Sequence, residues 1–323
     1  MLLVTGGAGF IGSNLVMALQ ERDAVVVCDV YGNDDKWKNL RYACVDRFIQ
    51  PEDIASFLNS HGRSISAVLH LGAVSATTER DVDLIVRSNL ILSRLLWDFC
   101  TSRQIPFIYA SSAATYGDGV LGFDDRADPE YLASLRPLNP YGWSKHAFDR
   151  QVLSIVARRE AAPSRWAGLK FFNVYGPRER HKGSMRSIIT SSYEALTTGA
   201  SLRLFKSDRY DYTDGGQMRD FVFVDDCVRV MTWMLDNNFP SDLYNVGTGK
   251  AQTWLDAGHA MFAAIGQAPR IEFIEMPEHL RGKYQYYTEA NMTKLAAIGA
   301  PVPQTSLVEG VAQTYRYMAS ELL

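Results

Sequence analysis

Residues 5–12, TGGAGFIG, constrain the fold more than any other stretch of this chain. A short apolar run, LLVT over 2–5, stops at the glycines, and from Ile11 to Leu19 the apolar residues recur at helical spacing. Gly6, Gly9 and Gly12 thus stand between a strand and the helix it feeds. Positions without a side chain allow a tight turn there and let the backbone approach a pyrophosphate. The helix start adds unpaired N–H groups and a positive dipole end. A glycine triplet alone is weak, but here a second β-branched run, AVVVCDV (24–30), carries Asp29 near its end, where a ribose hydroxyl would meet a carboxylate. Together these features predict a dinucleotide site.

The alternation continues. Apolar runs AVLHLGA (67–73) and FIYASSA (107–113) flank a helix-like segment at 82–100, and a long helical segment at 144–160 precedes LKFFNVYG (169–176). Strands that are apolar throughout and separated by helices belong to a parallel sheet covered on both faces. The expected class is α/β, a Rossmann-type doubly wound parallel sheet with a smaller mixed C-terminal lobe for substrate. Beyond Gly176 the pattern loosens, with loop-rich stretches at 177–215 and 270–300 and a helix expected at 185–198. FVFV (221–224), a helix from Asp226 to Leu235, and YNVG (244–247) are expected to rejoin the sheet. The dinucleotide domain is therefore placed at 1–170 with a returning piece near 216–250, and the substrate lobe at 171–215 and 251–323.

Composition narrows the partners. A net charge of −3 gives no electrostatic case for nucleic acid or an anionic membrane surface, so any ligand phosphate must be held locally. No apolar run approaches the roughly 20 residues that span a bilayer. The opening MLLVTGG has no basic n-region and reads as a buried strand rather than a signal peptide. Cys28, Cys44, Cys100 and Cys227 form no C-x-x-C pair and no metal-ligand spacing, so no metal is expected. Cys28 and Cys100 fall in apolar runs, as free thiols do in a reducing compartment. The expectation is a cytoplasmic protein.

Tyr141 and Lys145 form a Tyr-x-x-x-Lys pair in NPYGWSKHAF, which the i, i+4 spacing puts on one helix face. Position gives the pair its weight, because it follows the strand end FIYASSAATYG, and Ser112 sits there, where open α/β sheets bind ligands. Oxidising a carbinol requires removal of its hydroxyl proton. A phenol of ordinary pKa near 10 does this poorly at neutral pH, and a nearby ammonium favours the phenolate. Ser112 can hydrogen-bond the substrate oxygen, and Lys145 a ribose hydroxyl. His70, in the same region, could equally be a satisfied core histidine.

The G-x-x-G-x-x-G spacing and the Ser, Tyr and Lys trio resemble the extended short-chain dehydrogenase/reductase family over nearly the whole chain. That resemblance implies a nicotinamide cofactor held by Gly6, Gly9, Phe10, Ile11, Gly12, Asp29, Val30, Lys36, Leu71, Gly72, Ala73, Val74, Ser75, Asn89, Tyr141, Lys145 and Val174. Asp29 favours NAD, because a 2′-phosphate beside a carboxylate is repelled, whereas Lys36 and Lys38 could neutralise that phosphate. The reading leans to NADP on the closer resemblance that follows.

ASSAATYG (110–117), FFNVYGPRERHKGSM (171–185), RDFVFVD (219–225), YNVGTG (244–249) and LRGKYQYYT (280–288) closely resemble the ADP-glyceromanno-heptose 6-epimerases. The resemblance implies transient oxidation at C6″ of a heptose and re-reduction from the opposite face, for lipopolysaccharide core supply. It gives Tyr141 one acid/base position and Lys182 the other. It places Ser112, Asn173, Lys182 and Ser184 at the sugar and Arg219 and Tyr284 near the nucleotide diphosphate, with Phe205 also among the substrate-binding residues. A homo-oligomer, a pentamer in the family, is implied in the same way. The family's asparagine after the second-strand acid is Val30 here, and a longer polar loop (207–218) precedes Arg219. The rival readings are a UDP-hexose 4-epimerase or a 4,6-dehydratase of the same fold, and a non-catalytic cofactor-binding protein. Ala113 stands where a dehydratase would carry an acidic pair.

Overall fold

The computed structural model describes residues 1–33, 35–278 and 284–321. Its strands in chain order are β1 (Leu2–Thr5), β2 (Val25–Cys28), β3 (Arg47–Ile49), β4 (Ala67–His70), β5 (Phe107–Ser112), β6 (Trp166–Phe171), β7 (Asn173–Tyr175), β8 (Leu202–Phe205), β9 (Met218–Phe223), β10 (Asp242–Val246), β11 (Ala251–Thr253) and β12 (Ile271–Ile274).

β1, β2, β4 and β6 are buried at every residue, which is why their sequences carry no polar alternation. They lie in a seven-stranded sheet of order β10-β6-β5-β4-β1-β2-β3, and every pairing in it is parallel. Leu15 and Leu19 of helix Phe10–Leu19, Trp97 of Leu92–Arg103, Phe148 and Val152 of Pro140–Ala157, and Met231 and Met234 of Val224–Asp236 pack into its core. A second apolar cluster joins helices Ile188–Thr197, Trp254–Ala264 and Leu307–Ser320 to β8 and β9. Among the described residues no helix is long and apolar enough to cross a membrane.

The structure corrects two readings of the sequence. LKFFNVYG is not one strand, and the FVFV segment does not rejoin the main sheet. At Phe172 the backbone N–H donates to Val246 O at 3.0 Å, while Val174 N–H donates back to Phe172 O at 2.9 Å. That turn breaks the ladder and offers β7 to β9, so β9 sits in a small mixed sheet, β11-β9-β7. Only β10 returns, parallel to β6. The segment at 82–100 likewise divides into Val82–Ile85, a π-turn over Val86–Ile91, and Leu92–Arg103. π-turns of this kind gather at functional sites, and this one carries Asn89.

Candidate active site

In the main sheet β1 lies between β2 and β4, so the chain departs from it in opposite directions. The crevice beyond the carboxyl ends of β1 and β4 is the topological switch point at which such sheets bind ligands. Two loops line it. Gly6 has φ +68°, and a Cβ there would lie 2.6 Å from Gly72 N; a Cβ on Gly12 would lie 2.1 Å from Gly6 O. The loops therefore meet backbone to backbone and leave a cradle that side chains would fill. This fits a pyrophosphate. Asp29 closes the far side, its Oδ2 accepting Ala8 N–H at 2.8 Å and its Oδ1 accepting Val30 N–H at 2.7 Å. Lys36 Nζ reaches Asp29 Oδ1 at 2.5 Å and Val30 O at 2.8 Å, and the Val30 side chain is exposed.

The loop Leu71–Ser75 follows β4, with Ser75 exposed and the other four residues partly buried. Asn89 clamps it. Asn89 Oδ1 accepts Val74 N–H at 2.8 Å, and Asn89 Nδ2 donates to Val74 O at 3.0 Å and to Ser144 Oγ at 2.9 Å. One buried amide thus ties the Leu71–Ser75 loop to the helix that carries Tyr141 and Lys145.

His70 is a core residue, as its burial requires. Ser93 spends its proton on Asn89 O at 2.7 Å, so His70 Nε2 donates to Ser93 Oγ, also at 2.7 Å. Nδ1 must then accept from Thr5 Oγ1 at 2.6 Å, and Thr5 Oγ1 accepts Gly72 N–H at 3.1 Å. Burial, with Lys145 adding to it, pushes the imidazolium pKa down to about 3, so the ring is neutral.

Asn139 caps helix Pro140–Ala157, accepting Gly142 N–H at 2.8 Å, and Pro140 supplies the fixed φ of a first helical residue. Tyr141 is thereby set in the first turn and Lys145 one turn on. Ser112 ends β5; burial pushes the Tyr141 phenol pKa up, and the Ser112 hydroxyl works the other way. Lys145 is buried, with Nζ donating to Ala110 O at 2.7 Å. Burial lowers its ammonium pKa to about 8 against the opposing pull of Asp149. The structure brings this trio together.

On the other wall, Val174 and Asn173 lie on β7, and Asn173 Oδ1 accepts from Thr288 Oγ1 at 3.3 Å. Lys182 and the exposed Ser184 sit on the turn Arg180–Met185. The Lys182 ammonium lies 5.2 Å over the Phe10 ring and 2.8 Å from Glu179 Oε1. Arg219 is buried with its guanidinium 5.6 Å from the Trp254 ring and 5.1 Å from the Tyr284 ring, and Tyr284 meets Phe205 edge-on at 6.1 Å. No carboxylate among the described residues pairs with Arg219, and its burial pushes the guanidinium pKa down. A desolvated cation of this kind is completed by an anion. Residues 280–283 of the LRGKYQYYT stretch lie outside the described residues.

Residues 2–247 match the NAD dependent epimerase/dehydratase family. The chain belongs to that family. The ADP-L-glycero-D-manno-heptose-6-epimerase of Nitratidesulfovibrio vulgaris (strain DP4) is 48% identical over 328 residues, 99% of this chain and 98% of its own length. A solved ADP-L-glycero-D-manno-heptose-6-epimerase from Helicobacter pylori superposes with a TM-score of 0.79 at 26% identity, covering 99% of this chain and 96% of that one. MoeE5 in complex with UDP-glucuronic acid and NAD superposes with a TM-score of 0.75 at 26% identity, covering 99% of each chain. The extended short-chain dehydrogenase fold expected from the sequence is the fold of this family member.

Several parts of the enzyme's site escaped the sequence reading. Asp149, one turn beyond Lys145 on the same helix, accepts from Tyr109 Oη at 3.0 Å, Ser111 Oγ at 2.7 Å and Lys170 Nζ at 2.7 Å. This buried pair bolts helix Pro140–Ala157 to β5 and β6. A carboxylate at i, i+4 from a functional lysine was the available signal. Asp220, next to Arg219 on β9, ties that strand to two neighbouring segments, accepting Thr248 N–H at 2.7 Å, Gly249 N–H at 2.9 Å and Ala290 N–H at 3.0 Å.

Proposed function

We propose that the enzyme inverts C6″ of ADP-glycero-manno-heptose, from the D-glycero to the L-glycero form, with NADP in the glycine cradle, and so supplies heptose for a lipopolysaccharide core. The observation that carries the reading is the Ser112, Tyr141 and Lys145 trio at the mouth of that cradle, with a second cation, Lys182, held above Phe10. The full-length 48% identity to a heptose 6-epimerase supports the sugar and the nucleotide.

Bound NADP supplies the hydride acceptor and donor. Tyr141 takes the hydroxyl proton of the sugar as its carbinol is oxidised, with Ser112 holding the same oxygen and the Lys145 ammonium favouring the phenolate. Turning the ketone presents its oxygen to Lys182, which donates the proton of the return step. Asn173 and Ser184 hold sugar hydroxyls, while Arg219, between the Trp254 and Tyr284 rings, takes the diphosphate, with Phe205 beside it. Lys36 on Asp29 leaves little net charge where a 2′-phosphate would sit, which supports NADP over NAD.

Enzyme purified without added cofactor is expected to release NADP on denaturation and, before it, to interconvert the two ADP-heptose epimers while leaving UDP-glucose and GDP-mannose unchanged. Inversion of UDP-glucose at C4 in place of the heptose would transfer the assignment to the 4-epimerases.

The Lys145 ionisation sets a second expectation. Its ammonium is lost as pH rises through about 8, and the phenolate then loses its cation. In kcat/KM, which reports ionisations of the free enzyme, an alkaline limb is expected in that range. A profile level to about pH 10, the ordinary range of a phenol, would remove that charge from the mechanism.

A further inference from the structure

Glu179 is almost fully buried, yet all its acceptor sites face donors. Oε1 accepts Lys182 Nζ at 2.8 Å and Ser187 N–H at 2.8 Å; Oε2 accepts Ser187 Oγ at 2.7 Å and Thr190 Oγ1 at 2.8 Å. Four donors thus converge on two oxygens, the full complement that a carboxylate accepts. Ser187 is the N-cap of helix Ile188–Thr197 and accepts Thr190 N–H at 3.3 Å, so the carboxylate is fastened to a helix N-terminus, whose dipole favours it. Its remaining partner among the described residues is the Lys182 ammonium.

Lys182 needs such a partner. It stands on a short turn beside Gly183, whose φ of +54° kinks the chain, and its four-carbon stem would otherwise carry the ammonium through many rotamers. The bond to Glu179 takes one of three N–H donors and leaves two for a substrate oxygen, while the Phe10 ring 5.2 Å away fixes the other side.

We infer that Glu179 is a positioning residue that holds the Lys182 ammonium ready to protonate the returning sugar oxygen; this rests on Lys182 being the second acid/base group. The plain alternative is that Glu179 only caps helix Ile188–Thr197. A double-mutant cycle separates the two, since residues acting through one another are non-additive and independent ones multiply. Glu179→Gln, Lys182→Met and the double variant are compared with the parent enzyme for kcat, KM, Tm and copurified dinucleotide.

Glu179→Gln is expected to lower kcat by ~10-fold or more with dinucleotide retained, and to cost less than about 2-fold once Lys182 is Met. Thr190→Val, which removes a donor only from Oε2, is expected to leave kcat within about 2-fold of the parent while lowering Tm. If Glu179→Gln does not fold, Glu179→Asp keeps the charge and withdraws it from the ammonium, with the same loss expected and the same disappearance in the Met background. Multiplying losses, or an unchanged kcat for Glu179→Gln beside a crippled Lys182→Met, would overturn the role of Glu179 alone. An unchanged kcat for Lys182→Met would overturn the acid/base role of Lys182, and this inference with it.

Discussion

Tyr141→Phe is expected to keep its bound dinucleotide and to turn over at least ~10²-fold more slowly, the scale of a lost general acid/base. The ring itself is kept: it stays in the first turn of helix Pro140–Ala157, capped by Asn139, so the fold of the crevice is untouched. What disappears is one hydroxyl, whose pKa the Ser112 hydroxyl lowers and which belongs to the same helix face as the buried Lys145. Steady-state kinetics in both directions, with the dinucleotide content measured on the same sample, checks this. Turnover near that of the parent would take Tyr141 out of the mechanism.

Gly12→Ala is expected to cost at least ~100-fold in dinucleotide affinity, which corresponds to about 2.7 kcal/mol. Helix propensity alone favours alanine over glycine by about 1 kcal/mol. Geometry reverses the sign, because the added Cβ would stand 2.1 Å from Gly6 O, far inside van der Waals contact. Gly6 cannot yield, since its own backbone lies against Gly72 and Leu71. The loop must shift bodily, and misplacement by about 1 Å is enough to lose two orders of magnitude. Titration of stripped protein with NADP gives the measurement. Parent-like affinity would mean that the loop does not approach the pyrophosphate.

These two predictions use the parts of the molecule that were legible in sequence. Local rules specify them: glycines at three-residue spacing behind an apolar run, and a Tyr-x-x-x-Lys pair entering a helix. The sheet followed from runs such as AVVVCDV because burial on both faces removes alternation. What escaped depended on contacts between segments distant in the chain. Whether the strand ending at Phe171 continues into β7 is decided by the Phe172 to Val246 hydrogen bond, which no local pattern encodes. Lys170, buried in β6, has its partners Asp149 and Thr115 21 and 55 residues away. Glu179 and Lys182 stand three apart on a short turn, and the Ser187 N–H and hydroxyl that hold the carboxylate come from eight residues on, at the cap of the next helix. The histidine of VLHLGA, readable in sequence as a satisfied core residue, is bonded on both nitrogens.

Substrate deuterated at C6″, mixed with unlabelled substrate in ordinary water, gives the most direct test of an oxidation that is undone on the same sugar. Epimerised product should keep its deuterium at C6″, molecule by molecule, with no exchange between labelled and unlabelled sugars. Loss of the deuterium to solvent would contradict the account, because the carbon would then have been inverted by proton abstraction rather than by hydrogen leaving and returning within one closed site.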